Sequence, residues 1–217
     1  MIGMVFVTVA QSADSGLVGW WKLDESSGDI ARDSSGQGKD GRLDGNPVWT
    51  PTSGKVNGAL EFDGTEDQVT VDDAGDFGIT NTMSVAAWMN IPEVGRSFEY
   101  AWGYDSYDTP RLMRDGTGTT FKFCGGGISG GVSVSLGGAG WHHVVAVADG
   151  TNYILYVDGS LGGQAAYSGD IITYNNWCIG NAYGNDTRRF IGALDDVRVY
   201  NRALTQEEVQ LIMDGQL

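Results

Sequence analysis

Several aspartates of this chain lie beside glycines in predicted loops, where carboxylates can bind a cation. Asp33 and Asp40 stand in a glycine-rich segment near the start, and Asp195 stands just before the last strand-like run. Calcium takes about six to eight oxygens, from carboxylates and from backbone carbonyls that glycine-rich loops turn inward. We therefore predict a Ca²⁺ site with Asp33 and Asp195 as ligands, and with Asp40 and Asp63 as further candidates. The alternative is that these aspartates only form turns.

A second group of carboxylates has a spacing found in glycoside hydrolysis. Retaining glycosidases hold a nucleophile and an acid/base carboxylate about 5–5.5 Å apart, and Glu61 and Asp63 share one face of a predicted strand. Gly64 and Thr65 indicate a turn, however, and Glu66 has the opposite parity. Because a motif needs its structural context, we predict that the chain is not an enzyme. Glycoside hydrolase is the least supported function.

Aromatic residues occupy alternate positions from 98 to 104 and recur at 107, and a later segment contains Tyr183 and Arg188. Such side chains can stack on sugar rings and hydrogen-bond hydroxyls, and they serve protein interfaces equally well. A predicted glycan-binding or partner-binding surface consists of Tyr100, Trp102, Tyr104, Tyr183 and Arg188. Burial in the core is the competing interpretation, because aromatic residues are often buried.

The chain has two cysteines, Cys124 and Cys178. Strand parity points both thiols away from the neighbouring core residues, so that both lie on the non-core side of their strands. If those strands are neighbours, a disulfide is feasible. Two unpaired small residues are the alternative, because geometry decides between them.

The charge of the chain excludes one class of partner. It carries 28 acidic and 13 basic residues, for a formal net charge of −15. A protein that binds nucleic acids or anionic membrane surfaces needs clustered Lys and Arg residues, so neither is an expected partner of this chain. An excess of this size destabilises the compact state through self-repulsion, which a bound divalent cation would offset.

The first sixteen residues form an apolar arm, and residues 17–217 form the predicted domain. The arm has the small residues of a secretory cleavage site but lacks a basic n-region, and it is too short to span a bilayer. It is either an export-signal remnant or a β-strand that packs on its own domain or on a neighbouring copy. The residues that would bury themselves in this way are Val5, Phe6, Val7 and Val9.

The remaining pattern predicts the elements that position these groups. Short alternating apolar runs recur between Gly, Asn and Asp clusters, as in Phe121/Phe123 and Tyr153/Leu155/Val157. This spacing is typical of a two-layer antiparallel jelly roll. With 217 residues and 34 glycines, the chain has the length of one sizeable β-sandwich.

One helix is predicted, at the C-terminal end. Thr205 is its expected N-cap and Glu208 the N3 partner in a capping box, while Leu204 and Val209 are placed as a hydrophobic staple. Gly215 is expected to end it. A strand that ends in YNRAL and is followed by one short capped helix resembles the terminal signature of the laminin-G-like branch of the concanavalin A-like lectin and glucanase superfamily.

The resemblance covers nearly the whole chain. Further motifs that resemble the family's strands follow in its order: GWWKLDE at 19–25, DSSG at 33–36, GALEFDG at 58–64, SVAAW at 84–88, WHHV at 141–144 and LYVDG at 155–159. The resemblance implies an all-β concanavalin A-like jelly-roll sandwich of two antiparallel sheets with one short C-terminal helix. It also implies a structural calcium site. It does not fix the function, because the family includes lectin modules, adhesion modules and parts of enzymes.

Two functions of different class follow from the sequence. In the first, the chain is a non-enzymatic extracellular structural module that binds calcium and associates with other copies of itself into a filament or tube. In the second, it is a carbohydrate-binding adhesion module that recognises a polysaccharide or glycoprotein. The apolar arm favours the first, and both place the protein outside the cell or at its surface.

Overall fold

The alternating apolar runs become the strands of a sandwich in a computed structural model of the chain. The structure describes residues 15–103, 109–125, 130–167, 171–173, 176–181 and 187–217. In this part, the strands are β1 (Leu17–Trp21), β2 (Ile30–Ala31), β3 (Gly41–Asp44), β4 (Val48–Thr50), β5 (Ala59–Asp63), β6 (Gln68–Val71), β7 (Met83–Ile91), β8 (Tyr100–Gly103), β9 (Arg111–Arg114), β10 (Thr120–Cys124), β11 (Val132–Ser135), β12 (Gly140–Ala148), β13 (Asn152–Val157), β14 (Ser160–Ala166), β15 (Trp177–Ile179) and β16 (Ile191–Tyr200). A short 3-10 helix (Ala74–Phe77) and one α-helix, α1 (Gln206–Met213), complete the described elements.

The strands form two antiparallel sheets. Sheet A has the order β14-β13-β12-β7-β16-β5-β4, and β1 also pairs with β16. Sheet B has the order β11-β10-β9-β8-β15-β6-β3-β2. This all-β architecture, with one short helix at the end, confirms the predicted jelly-roll fold.

The core lies between the two sheets because alternate side chains of each strand point to the same face. Phe121 and Phe123 of β10 are fully buried, as their alternation predicts. Trp102 of β8 stacks on Trp177 of β15, with ring centroids 5.2 Å apart and planes 13° apart. The aromatic rings of sheet B therefore form much of the sandwich interior.

Helix α1 packs on the outer face of sheet A. Its capping box is as predicted: the Thr205 hydroxyl accepts the Glu208 N–H, and the Glu208 carboxylate accepts the Thr205 N–H. Val209 of the helix packs in one apolar cluster with Leu204 and with Val145 of β12. Both faces of β12 are thus buried from His143 to Ala148. The described residues include no helix long and apolar enough to cross a membrane.

The two cysteines do not form a disulfide. Both are free and buried. Cys124 does lie on the non-core side, in a small cluster with Tyr100 and Met113. However, β8 and β9 separate the strand of Cys124 from that of Cys178. Two intervening strands separate the residues by about 14 Å, whereas a disulfide joins Cα atoms less than about 7 Å apart.

Candidate functional site

The most unusual ionisable group is Asp195, on the outer side of β16. It is fully buried, and its Oδ2 accepts the backbone N–H of Val56 at 2.7 Å. Its Oδ1 is buried and has no hydrogen-bond partner. Burial raises the pKa of Asp195, and the charge of Asp196 adds to that rise, so that the pKa reaches about 7 despite the Val56 hydrogen bond. A buried carboxylate with one unsatisfied oxygen needs a proton or a cation.

Asp24, just after β1, faces the same segment as Asp195. Its Oδ1 accepts the Gly58 N–H at 2.8 Å, and its Oδ2 accepts the Asn57 side-chain amide at 3.4 Å. The loop of residues 51–58 is thereby held between Asp24 and Asp195. A cavity of about 210 Å³ lies beside both carboxylates and is also bordered by Val56 and Asn57. We call this region the loop 51–58 site.

Two glycines, Gly54 and Gly58, let the 51–58 loop lie close to Asp195 and Asp24. A Cβ on Gly54 would lie 1.8 Å from the Gly58 carbonyl oxygen, and a Cβ on Gly58 would lie 3.0 Å from the Asp24 Cα. Only residues without a side chain fit there. The backbone N–H groups of Val56 and Gly58 can therefore reach the carboxylates of Asp195 and Asp24.

Backbone strain also concentrates at the loop 51–58 site. Leu23, Asn57 and Asp196 have positive φ angles of 59°, 61° and 51°. Asp196 lies within an irregularity of the β16 and β7 pairing, and its carboxylate accepts hydrogen bonds from the Trp20 indole and from Arg198. Positive φ angles are uncommon in residues other than glycine, and residues that adopt them cluster at ligand-binding sites.

A calcium ion at the loop 51–58 site stays a prediction, for which the unpartnered Asp195 Oδ1 offers one oxygen. Among the described residues, no three His, Cys, Asp or Glu side chains form a metal-binding group, so a cation would draw on backbone oxygens as well. Asp195 Oδ1 and the Asp24 carboxylate would hold it together with carbonyls of the glycine-rich loop. Calcium accepts this mixture of carboxylate and carbonyl oxygens.

The other predicted calcium ligands have local partners. Asp33 accepts backbone N–H groups of Trp20 (3.0 Å), Ser35 (2.8 Å) and Lys39 (2.9 Å), together with the Ser35 hydroxyl. Burial would raise the pKa of Asp33, but these hydrogen bonds outweigh it and lower the pKa. Asp40 in turn accepts the Asp33 N–H. No contact among the described residues joins Asp33 to Asp195, so a cation shared by these two stays a prediction.

The predicted aromatic surface is largely buried. Trp102 was wrongly assigned to it, because this residue is 1% exposed and lies in the core. Tyr100 lies on the outer side of sheet B but is also buried. Its hydroxyl accepts a hydrogen bond from Arg188 at 2.5 Å, and the Arg188 guanidinium also lies over the partly exposed ring of Phe98. Tyr104, Tyr183 and the arm residues Val5, Phe6, Val7 and Val9 lie outside the described residues.

Beside Tyr100 and Arg188, the outer face of sheet B carries a hydrogen-bonded group that sequence reasoning missed. Gln68 Oε1 accepts the Asn181 side-chain amide and the Arg189 guanidinium, both at 2.8 Å. The Gln68 amide donates to Asp44, which also accepts the Thr70 hydroxyl. We call these five side chains the sheet B polar cluster. An open cavity of about 570 Å³ adjoins it, bordered by Asp44 and Arg189, and the buried Asn181 Oδ1 has no hydrogen-bond partner.

Glu61 and Asp63 are both exposed on the outer face of β5, on the same side as predicted. Asp63 accepts the Thr65 N–H at 2.7 Å and the Thr65 hydroxyl at 2.6 Å, which forms the predicted turn. These hydrogen bonds lower the pKa of Asp63, whereas a catalytic acid at neutral pH requires a raised pKa.

Comparison with known proteins identifies the family. The Laminin_G_3 model of the concanavalin A-like lectin/glucanases superfamily matches residues 63–210, more than half of the chain. The chain belongs to this superfamily. A comparison with curated protein sequences found no match.

Solved structures share the fold of this superfamily member. Domain 4 of AbnA, an extracellular arabinanase of Geobacillus stearothermophilus solved with arabinotriose, aligns with a TM-score of 0.67 and 19% identity over 90% of this chain and 97% of that one. The binding domain of Paraclostridial Mosquitocidal Protein 1 aligns with a TM-score of 0.75 and 12% identity over 94% of this chain. The binding domain of botulinum neurotoxin DC in complex with SialylT aligns with a TM-score of 0.71 and 12% identity over 95% of this chain. The chain spans only 53% of each of the two toxin domains.

Proposed function

We propose that this chain is an extracellular carbohydrate-binding module, stabilised by calcium and without catalytic activity of its own. The observation that carries the proposal is the sheet B polar cluster beside its open cavity. Carboxylate, amide and guanidinium groups in one hydrogen-bonded array supply both donors and acceptors, which sugar hydroxyls require. The arabinotriose and SialylT complexes of proteins with this fold support the same ligand class.

The position of Arg188 supports a sugar ligand further. Its guanidinium lies 5.4 Å from the centre of the Phe98 ring and also bonds the Tyr100 hydroxyl. Phe98 is 38% exposed, so part of this ring beside Arg188 remains accessible. An aromatic face bordered by polar groups suits a sugar, which has both apolar C–H faces and hydroxyls.

Calcium has a structural role in this proposal. At the loop 51–58 site it would neutralise Asp195 and hold the 51–58 loop to β1 and β16. Bound only by the folded state, the ion would stabilise the domain by mass action, by a few kcal/mol at a hundredfold excess over Kd. It would also offset part of the net charge of −15.

A glycan array tests the carbohydrate proposal. The calcium-loaded protein should bind oligosaccharides on the array, with arabino-oligosaccharides included among the probes. Gln68→Ala should weaken binding about tenfold or more, because Gln68 hydrogen-bonds the other four members of the cluster. Gln164→Ala, at an exposed position of β14, is the matched control and should bind as the unaltered protein does. A blank array with folded protein would contradict the proposal.

Self-association remains the second proposed function. It rests on the apolar arm of residues 1–16 and on the open edges that the described sheets present. β4 forms one edge of sheet A, and its Val48 is 57% exposed. A strand donated by a neighbouring copy gains main-chain hydrogen bonds along such an edge.

A further inference from the structure

A row of outward-facing residues crosses sheet A on the half that helix α1 leaves open. Glu61 of β5 pairs with Val48 of β4 on one side and with Ala193 of β16 on the other. Ala193 pairs in turn with Asn90 of β7, and Asn90 pairs with Trp141 of β12. Directly paired residues of antiparallel strands point to the same face. The five side chains therefore lie side by side on the outer surface, and we call this row the sheet A trough.

The sheet A trough is shaped to admit a flat group. Ala193 gives it a low floor between Glu61 and Asn90, and a cavity of about 490 Å³ lies over this part of the sheet. Trp141, at the end of the row, is partly exposed. Within the described part of the chain, the structure shows no hydrogen bond or ring contact by the side chains of Glu61, Asn90 or Trp141.

We propose that the sheet A trough binds a neutral polysaccharide chain. The Trp141 ring offers a stacking surface, the Asn90 amide both donates and accepts, and Glu61 accepts hydrogen bonds from hydroxyls. These three groups lie on three strands of a row that crosses five, so the row suits an extended ligand that crosses the strands.

The negative charge of the sheet A trough favours a neutral polysaccharide over other ligands. Glu61 and Asp63 are exposed carboxylates at the sheet A trough, and they repel an anionic polysaccharide. They also disfavour a second copy of this chain as the occupant of the trough itself, because each copy carries a net charge of −15. Hydroxyl groups of a neutral sugar meet the carboxylates as donors without that repulsion. The inference takes its ligand class from the proposed function, but its site is on the opposite sheet.

Affinity electrophoresis of the full chain in calcium buffer tests the inference. Native gels would contain linear arabinan, xylan or a β-glucan, with polygalacturonate as the anionic comparison. At least one neutral polymer should retard the protein, and polygalacturonate should not. Trp141→Ala should weaken the retardation about tenfold or more, as truncation of an anchoring aromatic does. Ala193→Leu should weaken the retardation by a similar factor. The larger side chain fills the floor of the trough, although the substitution removes no group that contacts the sugar.

Two controls separate this site from the sheet B polar cluster. Leu161→Ala changes an exposed apolar residue on β14 and should leave retardation unchanged. Gln68→Ala tests sheet B alone. Loss in Trp141→Ala and Ala193→Leu supports the sheet A trough even if Gln68→Ala has no effect. Loss in Gln68→Ala alone overturns the inference and leaves the proposed function standing. Absence of retardation by all neutral polymers, or dimerisation that Ala193→Leu abolishes, also overturns it.

Discussion

Asp24 and Asp195 hold the same loop from two distant parts of the chain. Asp195 Oδ2 accepts the Val56 N–H at 2.7 Å, and Asp24 Oδ1 accepts the Gly58 N–H at 2.8 Å. These two carboxylates therefore connect the end of the first strand, the 51–58 loop and the last strand. The sequence predicts a Ca²⁺ ion bound by Asp33 and Asp195, which stays a prediction. The contact between the 51–58 loop and Asp24 is a separate feature that the structure adds.

Removal of calcium should destabilise the protein more at pH 8 than at pH 5. Burial raises the pKa of Asp195 from 3.8 to about 7, so folding favours its protonated form. The stability that this proton provides is fully present below the unfolded pKa and is lost as the pH rises through about 7. Without calcium, the free energy of unfolding should therefore fall by about 2–4 kcal/mol between pH 5 and pH 8. Thermal unfolding in excess EGTA at both pH values measures it.

Asp195→Asn is the control for this prediction, because an amide does not ionise. In EGTA the variant should lack the loss of stability between pH 5 and pH 8, and calcium should no longer raise its melting temperature. Equal pH dependence of the two proteins in EGTA would contradict the assignment of the effect to Asp195. A melting curve of the unaltered protein that EGTA leaves unchanged at pH 8 would contradict the calcium site.

Thr205→Ala should lower the free energy of unfolding by about 1 kcal/mol, because it removes one half of the capping box. The Thr205 hydroxyl accepts the Glu208 N–H at 3.3 Å, and helix α1 covers an apolar cluster of sheet A. Urea denaturation measures the change. Gln206→Ala, at the exposed first helical position, is the control. Equal stability of the two variants would show that the cap contributes nothing measurable.

Trp102→Ala should destabilise the domain by about 3–5 kcal/mol, as large truncations in a packed core do. The ring packs against Phe123 as well as Trp177. Phe98→Ala, at a ring that is 38% exposed, should cost much less and serves as the comparison in the same denaturation assay. If the Trp102→Ala variant kept its stability and lost only sugar binding, Trp102 would belong to the binding surface and not to the core.

Deletion of residues 1–11 tests self-association. If the arm is donated to a neighbouring copy, the shortened chain should stay folded and calcium-responsive but should no longer polymerise. Head-to-tail donation need not close, so the expected product of the full chain is a filament or tube. Light scattering and negative-stain imaging compare the two forms. Equal assembly of both, or a full chain that stays monomeric, would refute the arm's role.

The sequence predicted the features that depend on neighbouring residues. Helix α1 was predicted with its cap because Thr205 and Glu208 interact within one turn. The side of Cys124 followed from its alternation with Phe123. In both cases the information lies within a few positions of the chain, where helical and strand periodicities apply.

Features that depend on an irregular strand or on distant segments were missed. Alternation placed Tyr100 and Trp102 on one face, but the pairing of β8 with β9 shifts register between them. An irregularity of this kind reverses parity, so Tyr100 points outward and Trp102 enters the core. Asp24 was missed as a partner of Asp195 because only the folded chain brings both against the 51–58 loop.

The 51–58 loop borders two cavities at once. Val56 lines the one beside Asp195, and Ser53 lines the one over the sheet A trough. A cation that fixes the loop would thereby fix one wall of the trough without touching a sugar. Thermodynamic reciprocity then requires that bound polysaccharide raise the affinity for calcium by the same factor that calcium raises the affinity for polysaccharide. A calcium titration with and without the polymer would measure this coupling, and a module of this kind would hold its glycan in calcium-rich surroundings and release it when the ion is scarce.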